Sequence, residues 1–139
     1  MTGQCLCGAV RVTIESKPEF IHDCNCNLCR KSGGAWGYFA TGMVAVAGNT
    51  ASFLRRDKAN AAAEVHSCTT CGSTTHWSFS DAFRAENASV DLMGVNMRIF
   101  DPQELAGVEV RYPDGNAWAG AGPFEYRREA MTIGEGSPW

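Results

Sequence analysis

Cys68-Thr69-Thr70-Cys71-Gly72-Ser73, at residues 68–73, decides how this chain folds. A C-x-x-C knuckle turns tightly enough to aim two sulfurs at one metal ion, and Gly72 supplies the left-handed backbone such a turn often needs. Two sulfurs leave a tetrahedral site half filled. Five more cysteines are available, as C-x-C at Cys5 and Cys7 and as C-x-C-x-x-C at Cys24, Cys26 and Cys29. Cys5 and Cys7 supply the missing number, and their alternate spacing would set both on one side of an extended segment. Residues 5–7 and 68–71 would then be clipped together from distant parts of the chain.

That division leaves Cys24, Cys26 and Cys29, three thiolates within six residues, to grip a second ion locally with a fourth position open. Four thiolates give zinc a double negative charge and quench its Lewis acidity. Three leave a single negative charge and room for another ligand, so the trio is the candidate reactive centre. Spacing alone leaves other partitions standing. The trio closed by His22 or His66 would make both ions structural. Disulfides, one or two free buried cysteines, or a redox protein that releases zinc and pairs sulfurs within 24–29 are the remaining readings.

The bulk numbers frame these readings. A length of 139 residues suggests one domain, 1–139, and an apolar share of 45% is enough for a core. The formal net charge of -3 gives no footprint for nucleic acid. The pairs Arg55-Arg56 and Arg127-Arg128 read as solvated strand edges. No stretch approaches the roughly 18 apolar residues of a membrane span, and Met1–Gly8 has no secretory character. The expected compartment is the reducing cytoplasm, where seven cysteines, an odd number, favour metal over disulfides.

Turn signals recur at short intervals, at 32–34, 48–49, 113–116 and 120–123, which suits a β-rich domain. Val10, Val12 and Ile14 alternate with Arg11, Thr13 and Glu15, the period of a half-buried strand. Further strands are expected at 36–41, 52–56, 64–67, 75–79, 90–93 and 108–112, with 124–127 as a last one. Helix is scarce. Residues 26–31 can make one turn, and 59–64 is too short to stand alone. Asp101-Pro102-Gln103-Glu104 looks like a brief helix start, with Asp101 as its cap.

Three cysteine motifs carry a family resemblance. Gln4-Cys5-Leu6-Cys7-Gly8-Ala9-Val10-Arg11, then Cys24-Asn25-Cys26-Asn27-Leu28-Cys29-Arg30-Lys31-Ser32-Gly33, then Cys68 to Ser73 stand in one order. Val95-Asn96-Met97-Arg98 and Asp114-Gly115-Asn116-x-Trp118 follow. Together they resemble the glutathione-dependent formaldehyde-activating enzyme family, whose relatives include a centromere-associated protein, and the resemblance covers most of the chain. It implies a mainly β, zinc-stabilised β-tent with little helix, the fold shared with Rab-associated chaperones. It implies structural zinc at Cys5, Cys7, Cys68 and Cys71, and a labile catalytic zinc at Cys24, Cys26 and Cys29. Asn25 departs from the family, many of whose members have His there, and Ile99 stands where many have cysteine.

The implied activity is that of a carbon–sulfur lyase of the S-(hydroxymethyl)glutathione synthase type. It joins or splits glutathione, or another small thiol, and formaldehyde or another small aldehyde. No nucleic-acid or membrane partner is expected. Arg30 and Lys31 follow the last ligand and are candidates to hold a substrate carboxylate, with Asn96 and Arg98 behind them. Trp36, Tyr38, Phe39, Trp77 and Trp118 are either pocket walls or core. His22 and His76 are either proton relays or locally bonded histidines. The competing reading is a binding module in which both zincs only brace the fold and a surface recognises a protein partner.

Overall fold

The fold is that of a computed structural model in which residues 1–59, 61–134, 136 and 139 are described. Eleven strands occur among them: β1 (Thr2–Gln4), β2 (Arg11–Ile14), β3 (Phe20–His22), β4 (Trp36–Phe39), β5 (Val44–Ala47), β6 (Thr50–Leu54), β7 (Ala63–Cys68), β8 (Thr74–Phe79), β9 (Met93–Asn96), β10 (Glu109–Arg111) and β11 (Met131–Thr132). Two short helices accompany them, α1 (Asn27–Ser32) and α2 (Asp81–Glu86). The protein is mainly β with little helix, as expected. The small sheet runs β1-β2-β5 and the large one β11-β10-β3-β4-β9-β8-β7-β6. All pairings are antiparallel except β3 with β10.

The alternation read at 10–14 is the β2 register: Val10, Val12 and Ile14 are buried, Arg11 and Thr13 exposed. Val12 and Ile14 pack with Ile21, Val95, Met97, Leu105 and Val110 in the main core. Burying each such side chain is worth about 1.5–3 kcal/mol, so this face holds the two sheets together. A second cluster gathers Trp36, Val65 and Trp77 around Cys29. A third is Cys5, Val10 and Cys68. Each group of metal-type cysteines is therefore anchored in a patch of core.

Several elements differ from expectation. The strand expected at 90–93 begins at Met93, where it was to end, and Val90 is exposed. All four residues of β9 are buried, and a strand covered on both faces has no alternation to read. Residues 124–127 form no strand; Tyr126 makes a single bridge to Pro113. The segment after Asp101 is a run of turns, although Asp101 does accept the Gln103 N–H at 2.9 Å. Of the 59–64 segment, residue 60 lies outside the described residues, and Ala63 and Glu64 belong to β7. The sequence reading missed β1, β3, β5, β11 and α2. The signal for α2 was Ser80-Asp81: the Ser80 hydroxyl caps the helix by accepting the Phe83 N–H at 3.3 Å. Among the described residues no helix is long and apolar enough to cross a membrane.

Candidate metal centres

The sulfurs of Cys5, Cys7, Cys68 and Cys71 lie within 4.8 Å of one another. Two turns bring them together. The C-x-C pair sits in a turn after β1, not on an extended segment, which corrects the sequence expectation: the Gly8 N–H donates back to the Cys5 carbonyl at 2.9 Å. At the other knuckle Gly72 adopts φ 74° and donates to the Cys68 carbonyl at 2.9 Å. The Cys5 and Cys7 sulfurs are 3.6 Å apart, and those of Cys7 and Cys68 3.8 Å. Sulfurs on one tetrahedral zinc, each about 2.3 Å from the ion, stand about 3.8 Å apart, so the cluster fits that metal. Backbone N–H groups aim at the sulfurs as well, Val10 to Cys5 at 3.2 Å and Thr70 to Cys68 at 3.4 Å. Such donors orient the sulfurs that would face an ion. Cys5 and Cys68 are buried, whereas Cys7 is exposed. The cluster is closed by its ligand count, not by burial.

Cys24, Cys26 and Cys29 form the second group, again within 4.8 Å. Cys24 and Cys26 come from the loop after β3, and Cys29 from the first turn of α1. Cys29 is buried, and its two companions are half-buried. The Cys26 and Cys29 sulfurs are 3.4 Å apart. The Cys26 N–H donates to the Cys24 sulfur at 3.4 Å, and the Trp36 indole N–H to the Cys29 sulfur at 3.2 Å. Hydrogen bonds from Cys24 and Cys29 hold the Cys26 thiol far below its ordinary range. Cys24, Cys26 and burial push Cys29 up. All seven cysteines are free of disulfides.

Neither histidine weighed as a fourth ligand joins the trio among the described residues. His66 stacks on His76 at 4.2 Å and bonds Ser78 through Nε2. His22 Nδ1 pairs with the Tyr38 hydroxyl at 3.0 Å, inside a nest of Phe20 and Phe124. Burial, then the charge of Arg111, holds its pKa down to about 4, so it is neutral at pH 7. Tyr38 faces the trio: burial and then the negative sulfurs of Cys29, Cys24 and Cys26 push its phenol up. Trp36 and Trp77 are core, while Trp118 lies on a half-exposed loop, bonded to the Gly122 carbonyl.

A loop from the far end of the chain covers one side of the trio. Asn25 donates to Asp114 at 2.8 Å and accepts the Asn116 N–H at 3.0 Å. Gly115 packs so closely that a Cβ there would lie 2.3 Å from the Cys24 sulfur. The sequence had marked 113–116 as a turn, 114–118 as part of a resemblance and Trp118 as a pocket wall or core residue, and the loop's contact with the cysteines was not foreseen. The exposed Arg30 and Lys31 diverge. Arg30 lines a recess with Cys24, Cys29, Arg98 and Arg127. Lys31 lines a separate groove with Arg55 and Arg56, across from β6. Asn96 is not at the site; it is buried, bonding Ala35 and Thr74.

Residues 1–112 match the family described as glutathione-dependent formaldehyde-activating enzyme. The crystal structure of a Rhodobacter sphaeroides protein is similar, with a TM-score of 0.57 and 25% identity over 78% of this chain and 97% of the other. No curated protein matches significantly.

Proposed function

Because the chain belongs to the glutathione-dependent formaldehyde-activating enzyme family, we propose that its two sulfur clusters hold two zinc ions of unequal role. Cys5, Cys7, Cys68 and Cys71 brace the fold. Cys24, Cys26 and Cys29 hold the ion at which a small thiol, glutathione first among them, is joined to or parted from a small aldehyde. The observation that supports this reading is the ligand count among the described residues: four sulfurs grouped at one point and three at the other, with no histidine or carboxylate oxygen in the group of three.

Zinc at the trio would supply the charge that keeps a substrate thiol, with an ordinary pKa near 8.5, in its thiolate form at neutral pH. The chain's own residues do the rest. The N–H donors of Trp36 and Cys26 fix the Cys29 and Cys24 sulfurs in place. Gly115 lets the 114–116 loop close one side without filling the approach to Cys24. Arg30 and Lys31 offer cations to a substrate carboxylate. In the synthetic direction the substrate sulfur gives an electron pair to the aldehyde carbon, a C–S bond forms as the C=O π bond opens onto oxygen, and that oxygen takes up, through water, the proton the thiol gave up. In reverse that bond breaks and the proton returns.

Metal analysis during glutathione titration tests the reading. The expected result is two zincs per chain, of which only the trio's changes affinity or coordination with glutathione. Two ions held alike, with no response to the thiol, would favour the zinc-braced binding module instead. Exposed apolar side chains at Leu6, Phe53 and Leu54 favour that second reading.

A further inference from the structure

An edge strand leaves alternate N–H and C=O groups pointing away from its sheet, and proteins guard such edges with charge, proline, bulges or brevity. The two edges of the large sheet differ in this respect. At one end β11 is only two residues long. At the other, β6 runs five residues, Thr-Ala-Ser-Phe-Leu, with no charge and no proline. Among the described residues β6 pairs only with β7, and the stretch from Ala51 to Leu54 is exposed. Phe53 is 50% exposed and Leu54 41%. Phe53 stands opposite Val65, which is buried with Cys29, Trp36 and Trp77, so it carries that apolar face of the sheet out to the edge. A groove of about 1190 Å³ lies beside it, lined by Leu28 and Lys31 from α1 and by Phe53, Arg55 and Arg56. Its two acids are engaged: Asp57 pairs with Arg55 at 2.6 Å, and Glu64 accepts the Ser52 hydroxyl at 2.7 Å. Among the described residues neither Lys31 nor Arg56 has an ion-pair partner. Three cations against two carboxylates make the groove positive, in a chain whose net charge is -3.

We propose that β6 is a docking edge for an extended acidic segment of a partner protein, which adds a ninth strand to the large sheet and sets carboxylates against Lys31 and Arg56. Main-chain pairing along the free edge supplies affinity, and side chains supply selectivity. Apolar residues of the segment cover Phe53 and Leu54, and its acids answer the unpaired cations. A second copy of this chain, paired β6 to β6, would bring the same uncharged strand and no carboxylate from it. The inference gives the protein-partner reading a surface and a chemistry, and it stands apart from thiol binding at the trio.

Fluorescence anisotropy of a fluorescein-labelled hexapeptide of alternating Glu and Val, titrated with the full chain, tests the proposal. Saturable binding is expected. Arg56 and Phe53 are exposed, so Arg56→Gln and Phe53→Ser should leave folding intact. Arg56→Gln should raise the Kd about tenfold, the size of one lost charge-assisted contact, and a peptide with Lys in place of Glu should bind at least as poorly. Alternate N–H groups of a strand point the same way. Methylating only the valine nitrogens and methylating only the glutamate nitrogens should therefore have unequal effects, one weakening binding about tenfold and the other leaving it unchanged. Equal effects overturn strand addition. Full binding by the Lys peptide, or by the Arg56→Gln variant, overturns the acidic partner. Absence of binding overturns the proposal as a whole, and a dimer in sedimentation that Phe53→Ser dissociates would then give the edge to a second copy. The peptide carries no thiol, so each of these failures leaves the reading of the trio untouched.

Discussion

The four-sulfur and three-sulfur clusters use the same ligand atom, yet they gather very different lengths of chain. Cys7 meets Cys68 across 61 residues, whereas Cys26 and Cys29 are three apart. An ion at the first cluster links β1, β7 and β8 and closes a long loop, so its loss returns a large conformational entropy to the chain. An ion at the second links one loop to the first turn of one helix. That stretch is already held by Trp36 below and the 114–116 loop beside it. On the proposed reading fold and reactivity are separated: four sulfurs that close the chain would leave an ion no free position, and three that would leave one close little chain.

The largest expected effect breaks that comparison if it fails. Cys68→Ala should unfold the protein, because structural zinc contributes on the order of 10 kcal/mol. Cys26→Ala should keep the folded circular dichroism spectrum and lose one zinc of two. If both variants unfold alike, the division of roles is wrong. Gly115→Ala probes the trio without touching a ligand. Its Cβ would meet the Cys24 sulfur at 2.3 Å. Metal affinity at the trio should fall at least tenfold by competitive chelation, while the four-sulfur site keeps its own.

The smallest effect separates acid sensitivity of the fold from that of the sulfurs. Burial, then the charge of His66, lowers the His76 pKa from 6.5 to about 4. The folded state therefore binds fewer protons than the unfolded one between those values. The stabilisation is complete above about pH 6.5 and is lost as pH falls through about 4. Thermal melts should show a steeper decline over that window in the unmodified protein than in His76→Gln. Parallel declines would assign the acid loss to other groups, His22 and the cysteines among them.

Much of this was written locally. The Cys68–Cys71 knuckle with Gly72, the alternation of Val10, Val12 and Ile14, and the helical turn after Cys26 each depend on neighbours within a few residues. The β9 strand was misplaced because burial on both faces erases its alternation, and α2 was missed although Ser80 carried a cap signal. Tertiary packing decided the rest. Asn25 meets Asp114 across 89 residues, the Trp36 indole finds the Cys29 sulfur, and Arg30 and Lys31 part to opposite flanks of α1. The sequence by itself determined the sulfur groups, because ligand spacing and turn chemistry act over a handful of residues. Only the folded chain decided which side chains surround the three-sulfur group, because those contacts exist once the sheets have packed and no local pattern encodes them.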